Sequence, residues 1–295
     1  MSKQHLILGG SSFVGRRLYQ RLGAERAIAT FNNNPFDGGV HFDSVSMDLA
    51  DIVPDPAHID HAILLLGDTH PDSCIADRER SHLANVVGIE RIIDRLREWN
   101  IRPVFTSSEF IFDGEAGDYT ESDEATPILL YGEQKLAVEK YIQDKTDDYA
   151  ILRLAKIFGD DLDDGTLFSG LVAAAYSETA MRIASDQRFS PVHVDDVCDA
   201  ILAACEGKLN GVYHVGGPQG LSRLECLHLA INAARRHAKI DVSIETCSIH
   251  DFDLPEKRPL DVSMKPDKLV AEMGTRLRTA EESCAIIADA MFAGK

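Results

Sequence analysis

The chain has 295 residues, enough for one large or two medium domains at the usual size of about 100–200 residues each. Apolar side chains make up 44% of it and charged ones 26%, which excludes a disordered, collagen-like or coiled-coil chain. With 30 basic against 48 acidic residues the net charge is −18, so neither nucleic acid nor an anionic membrane surface is an expected partner; a local basic pocket for one small anionic ligand stays open.

In chain order, short apolar runs alternate with amphipathic stretches over the first two thirds, the pattern of a parallel sheet covered by helices on both faces. Strands are expected at Gln4–Leu8, Ala27–Phe31, Val45–Met47, Ala62–Leu66, Val104–Ser107 and Ala150–Leu154. Gly9 and Gly10 break the first run and Arg16 and Arg17 follow it, so it reads as a strand and not as a secretion signal. A long helix is expected from about Ile75 to Glu98, with Leu83, Val86, Val87, Ile92, Ile93 and Leu96 at helical spacing. A second should run from about Leu130 to Gln143 and a closing one from about Thr279 to Met291. Turn-rich segments at 159–165 and 216–220 separate the short elements of the last third.

The uncharged stretch from Gly165 to Ser177 is shorter than the roughly 18–20 residues a membrane span needs. Cys74, Cys198, Cys205, Cys226, Cys247 and Cys284 are scattered without a Cys-x-x-Cys pair, so reduced thiols and a cytoplasmic location are expected. No metal site is expected. Counted as a calcium loop from Asp160, the third and twelfth positions are Leu162 and Leu171, where oxygen ligands belong. His58, His61, His70 and His82 lack ligand spacing with cysteines or carboxylates.

The first chemical motif lies between the first strand and first helix: Leu8-Gly9-Gly10-Ser11-Ser12-Phe13-Val14-Gly15. Glycines there permit a tight turn and let backbone N–H groups approach a pyrophosphate at a helix N-terminus. Ser12 stands where a three-glycine loop has its middle glycine; it is small and can donate to phosphate. The motif and its setting predict a Rossmann-type, doubly wound α/β fold with Gly9, Ser11, Ser12, Phe13, Val14 and Gly15 around a dinucleotide. NAD sites usually carry an acid at the end of the second strand, whereas this chain has Phe31-Asn32-Asn33-Asn34-Pro35 and no carboxylate before Asp37. Arg16 can reach a 2′-phosphate. NADP(H) is therefore favoured, with NAD(H) on Asn32 as the alternative.

The second motif is Tyr131-Gly132-Glu133-Gln134-Lys135, whose spacing puts phenol and ammonium one turn apart on one helix face. A neighbouring cation favours phenolate, which is expected to lower the Tyr131 pKa toward a range useful for proton transfer. Thr106-Ser107-Ser108-Glu109-Phe110-Ile111-Phe112-Asp113-Gly114 precedes it at the carboxyl end of a buried strand, the edge at which open α/β sheets bind ligands.

With these residues the chain resembles the extended short-chain dehydrogenase/reductases, and within them the dTDP-4-dehydrorhamnose reductase group of nucleotide-sugar reductases. Ser107 to Gly114 is similar to that group's Ser-Thr-Asp-Tyr-Val-Phe-Asp-Gly, and Tyr131 to Lys135 to its Tyr-Gly-x-x-Lys. Further similarity runs through Arg153 to Gly159, Pro191 to Val197, Gly211 to Val215 and Arg258-Pro259. The resemblance implies that Ser108 holds a substrate carbonyl oxygen, Tyr131 donates the proton, and Lys135 binds the nicotinamide ribose and tunes Tyr131. It also implies cofactor contacts from Asp48, Leu49, Leu66 and Asn85, and substrate contacts from Glu109, Phe110 and Arg258. Leu65-Leu66-Gly67-Asp68 stands where the reductases often show Asn-Ala-Ala, a difference in the substrate and nicotinamide pocket. Residues 1–159 would form the NADP(H)-binding domain, with 191–221 returning to it, and 160–295 mainly a smaller substrate-binding lobe.

The implied activity is reduction of a keto nucleotide sugar by a homodimer. Two alternatives stay open: a nucleotide-sugar epimerase with tightly held NAD, and a cofactor-binding regulatory subunit, because the beta subunit of methionine adenosyltransferase resembles the same family. Against sugar dehydration stands Phe110, two residues after Ser108, where the similar 4,6-dehydratases carry a glutamate; phenylalanine cannot move a proton. A register slipped by one residue would put Glu109 at that position behind Ser107, but Phe110 to Gly114 match the reductase pattern with Ser108 as the hydroxyl.

Overall fold

The computed structural model describes residues 4–177 and 180–293. The chain runs through β1 (Gln4–Leu8), α1 (Phe13–Leu22), β2 (Ala27–Phe31), β3 (Val40–His41) and β4 (Ile59–Leu64). Helices α2 (Pro71–Ala76), α3 (Arg78–His82) and α4 (Gly88–Glu98) lead to β5 (Arg102–Ser108), then α5 (Leu130–Lys145), β6 (Ala150–Leu154), β7 (Ile157–Phe158) and α6 (Leu167–Tyr176). The last part comprises β8 (Met181–Ala184), β9 (Arg188–Phe189), β10 (Val192–His193), α7 (Val194–Cys205), β11 (Gly211–Val215), β12 (Leu221–Ser222), α8 (Arg223–Ala234), β13 (Ile244–Cys247), α9 (Asp267–Met273) and α10 (Ala280–Phe292).

Seven strands form one parallel sheet in the order β3-β2-β1-β4-β5-β6-β11. This is the doubly wound α/β architecture expected from the alternation of apolar runs. Successive residues face opposite layers: Ile7, Ile63, Val104 and Leu152 pack with α1 and α7 residues such as Leu18, Val197 and Ile201. Leu6, Leu8, Leu64 and Phe105 pack with Ile89 and Ile93 of α4 and with Val138 and Ile142 of α5. Strand order reverses between β1 and β4, and the crevice outside their carboxyl ends is the ligand position of such sheets. Beyond the sheet, Phe168, Val172, Cys226, Ala230, Cys284 and Ile287 join α6, α8 and α10 into a second core. None of the described helices is long and apolar enough to cross a membrane.

The strand expected at Ala62–Leu66 runs instead over Ile59–Leu64, and two further elements differ in kind. Residues 45–47 are not a strand: Asp43 accepts hydrogen bonds from the Val45 N–H at 3.0 Å and the Ser46 hydroxyl at 2.7 Å, and such side-chain bonding favours a turn over an extended run. The third strand is instead Val40–His41. The long helix is interrupted at Asp77, whose carboxylate caps α3 through the Arg80 N–H, and a wide π-type turn over Leu83–Val87 precedes α4. That turn carries Asn85 inward.

Candidate active site

The loop after β1 is built by exclusion of side chains. Gly9 has φ +95°, and a Cβ on it would stand 2.7 Å from the Leu65 carbonyl carbon; one on Gly15 would stand 2.4 Å from the Gly9 oxygen. Ser12 caps α1, its hydroxyl accepting the Gly15 N–H at 3.1 Å and donating to the Gly9 oxygen at 2.8 Å. The serine at the middle-glycine position therefore closes the loop on itself. The first-turn N–H groups of Phe13 and Val14 have no carbonyl partner within the helix. Both residues line a cavity of about 650 Å³, a size usual for a small-molecule site. This cradle fits the pyrophosphate of a nicotinamide dinucleotide. Arg16 lies outside it, exposed, with Nε donating to the Ser11 carbonyl at 3.1 Å. Asn32 is exposed past the end of β2.

Ser108 ends β5, and Tyr131 and Lys135 rise from the first turns of α5; all three are buried and line the same cavity. Gly132 makes this approach feasible, because a Cβ there would fall 2.0 Å from the Phe110 carbonyl oxygen. The Ser108 hydroxyl is hydrogen-bonded to the Tyr131 phenol and accepts the Phe110 N–H at 3.2 Å. Lys135 Nζ donates to the Thr106 carbonyl at 2.9 Å and stands 5.8 Å from the centre of the Tyr131 ring. Burial pushes the ammonium down to about 8, with Glu139 one turn along opposing it. Burial also pushes the Tyr131 phenol upward, more than the Ser108 hydrogen bond lowers it. The expected lowering by Lys135 is thus overturned in the chain alone: desolvation dominates, and the Tyr131 phenol keeps its proton.

Glu109 turns into the same cavity, 5% exposed. Burial raises its carboxyl to about 8, against the smaller opposing effects of the Lys156 side chain, the Lys156 backbone N–H and Arg223. Its Oε2 has no hydrogen-bond partner. The Phe110 ring lies edge-on to Tyr131 at 6.4 Å between centres and forms part of the wall. Lys156, Thr166 and Arg223 complete the opening toward the second core. Motif spacing did not single these out; they reach the cavity from segments far along the chain. A cavity of about 710 Å³ between α7 and α10 shares no lining residue with this one and has no comparable hydroxyl–phenol–ammonium set.

Other expected contacts lie outside the cavity. Asn85 holds the turn after β4, accepting the Asp68 N–H at 2.7 Å and donating to the Asp68 carbonyl at 2.9 Å, and it also donates to Gln134 of α5 at 2.8 Å. Leu49 packs into the core, and Asp48 caps a short turn and pairs with Arg95 at 2.9 Å. Leu66 is half-buried, and its neighbour Leu65 takes the lining position. Arg258 is buried and paired with Asp72.

The model of the family described as RmlD substrate binding domain matches residues 3–292. The chain belongs to this family. Among relatives of this RmlD-family chain, the "Probable low-salt glycan biosynthesis reductase Agl14" of Haloferax volcanii is 25% identical over 237 residues, 79% of this chain and 78% of that protein. Methionine adenosyltransferase 2 subunit beta of Xenopus laevis is 25% identical over 243 residues, 76% of this chain and 70% of that protein. The structure of dTDP-4-dehydrorhamnose reductase from Bacillus anthracis in complex with NADP has a TM-score of 0.79 and 20% identity, covering 96% of this chain and 98% of that one. The short-chain dehydrogenase/reductase resemblance read from the motifs therefore holds, and so does the fold.

Proposed function

We propose that this RmlD-family chain is an NAD(P)H-dependent oxidoreductase that reduces a keto nucleotide sugar, in the manner of dTDP-4-dehydrorhamnose reductases. One observation carries the reading: a serine hydroxyl, a protonated phenol and a buried ammonium meet in one cavity beside a glycine-built pyrophosphate cradle. A bound nicotinamide supplies hydride to the carbonyl carbon. Ser108 holds the carbonyl oxygen and stabilises the charge that develops on it. Tyr131 donates the proton from its hydroxyl, and Lys135 holds the nicotinamide ribose and keeps a positive charge beside Tyr131. Phe110, two residues after Ser108, supplies no proton-transfer group at the position where the similar dehydratases carry glutamate, which favours reduction. Glu109, the acid that does enter the cavity, is the group that dehydration would need, and incubation with a nucleotide hexose reads that outcome directly.

Asn32, Asn33 and Asn34 in place of an acid favour NADPH over NADH, with Arg16 as partner of the 2′-phosphate. Residues 1–159 with 191–221 constitute the cofactor half and 160–295 mainly the sugar half. The enzyme works in the cytoplasm, in keeping with six unpaired cysteines, and as a homodimer through the face of α4 and α5. A regulatory role like that of the methionine adenosyltransferase subunit competes with this reading; the complete Ser108, Tyr131 and Lys135 set favours catalysis.

The test is incubation of the chain with NADPH and 4-keto-6-deoxy nucleotide sugars carrying dTDP, UDP or GDP. Substrate-dependent NADPH oxidation that falls by roughly 10²–10⁴-fold in Tyr131→Phe, with cofactor affinity retained, is the expected result. Turnover unchanged in that variant refutes the proton donor. A 4-keto-6-deoxy product formed from a nucleotide hexose without reductant refutes the reductase reading.

A further inference from the structure

Toward the amino-terminal edge of the sheet, away from the Ser108–Tyr131 cavity, the register of β1 and β4 sets His5 beside His61, with the imidazoles stacked at 5.7 Å between centres. Alternation along the strands puts both rings on the face of Ile7 and Ile63, which α7 covers. Cys205, the last residue of α7, brings a buried thiol to the same place. One ligand nitrogen from each histidine and the Cys205 Sγ lie within 4.8 Å of one another. The Nδ1 atoms of both histidines are enclosed and have no hydrogen-bond partner, an unusual state for buried ring nitrogens.

We propose that His5, His61 and Cys205 form a binding site for a d¹⁰ cation of soft or borderline character, Zn²⁺ or Cu⁺. Imidazole and thiolate select such ions over calcium or magnesium, which take oxygen ligands. A neutral imidazole offers the lone pair of its unprotonated ring nitrogen to such an ion, and the enclosed Nδ1 atoms of both histidines have no other hydrogen-bond partner. Three donors no more than 4.8 Å apart enclose a centre at most about 2.8 Å from each, and an inward movement of at most roughly 0.5–0.8 Å per donor gives the 2.0–2.3 Å of metal–nitrogen and metal–sulfur bonds. On binding, the Cys205 S–H bond breaks, sulfur bonds the metal and the proton passes to solvent. Arg26 and Arg102 lie near and disfavour excess positive charge, while Asp60 and Asp148 offset it. With Cu⁺ the thiolate site is neutral; with Zn²⁺ it carries one positive charge beside Asp60.

The full chain is dialysed against buffered Zn²⁺ and, separately and without oxygen, against Cu⁺ held by a competing chelator. Bound metal is then counted by mass spectrometry. About one equivalent per chain is expected, with a melting midpoint raised by about 5 °C at a hundredfold excess over Kd. Co²⁺ should give a cobalt–thiolate absorption band. His5→Gln, His61→Gln and Cys205→Ser should each lose the equivalent and the band, with circular dichroism confirming which variants are folded. Retention by only one of the two metals identifies the ion. Failure of the wild type to retain either, or full retention by a folded His5→Gln or Cys205→Ser chain, overturns the site.

Discussion

Replacing Glu109 by glutamine keeps the size of the side chain and removes its charge. In the folded chain the carboxyl is buried, accepts the Lys156 backbone N–H and holds its proton to about pH 8, whereas the ordinary value is 4.5. A group whose folded pKa is raised contributes stability that is fully present below its unfolded pKa and is lost as pH rises toward the folded one. Between about pH 4.5 and 8 the wild type therefore loses about 1.4 kcal/mol per pH unit from this one residue. Glutamine preserves an acceptor for the Lys156 N–H and has no ionised form to desolvate. The stability of Glu109→Gln relative to the wild type should rise steadily from pH 5.5 to 8, by an order-of-magnitude total of about 3 kcal/mol. Urea unfolding at four pH values across that range measures it. A difference that stays constant with pH would refute the argument, showing that Lys156 and Arg223 keep Glu109 ionised in the fold.

Gly15→Ala forces a methyl group to 2.4 Å from the Gly9 oxygen, so cofactor affinity should fall at least about tenfold, about 1.4 kcal/mol, with the lobe cores intact; unchanged affinity by fluorescence titration would remove the cradle argument. Lys135, whose ammonium burial lowers to about 8, is charged below that pH, so turnover should decline as pH rises through about 8, and a flat profile to pH 9.5 would contradict its charged role. NADPH should bind more tightly than NADH, and equal affinities would remove the argument from Asn32 to Asn34. Light scattering should report a dimer at micromolar concentration; a monomer alone would reject pairing through α4 and α5.

How much of this was legible in the chain itself follows from the range of the interactions concerned. The bounds of β1, β2 and β6 coincide with the apolar runs that predict them, because a strand buried on both faces writes its burial into consecutive residues. Tyr131 and Lys135 were readable because a spacing of four is a local property of a helix, and Gly9 and Gly15 because a tight strand-to-helix turn excludes larger residues. Tertiary packing decided what depends on distant partners. Asp43 turned residues 45–47 out of the sheet, and Asp72 drew Arg258 into an ion pair. Glu109 became a high-pKa acid because its depth of burial outweighs Lys156 and Arg223, and the same desolvation kept Tyr131 protonated against the expectation from Lys135. His5, His61 and Cys205 show no spacing pattern along the chain. Strand register and the end of α7 bring them together, and register is set by the packing of the whole sheet face, which no local run of residues encodes.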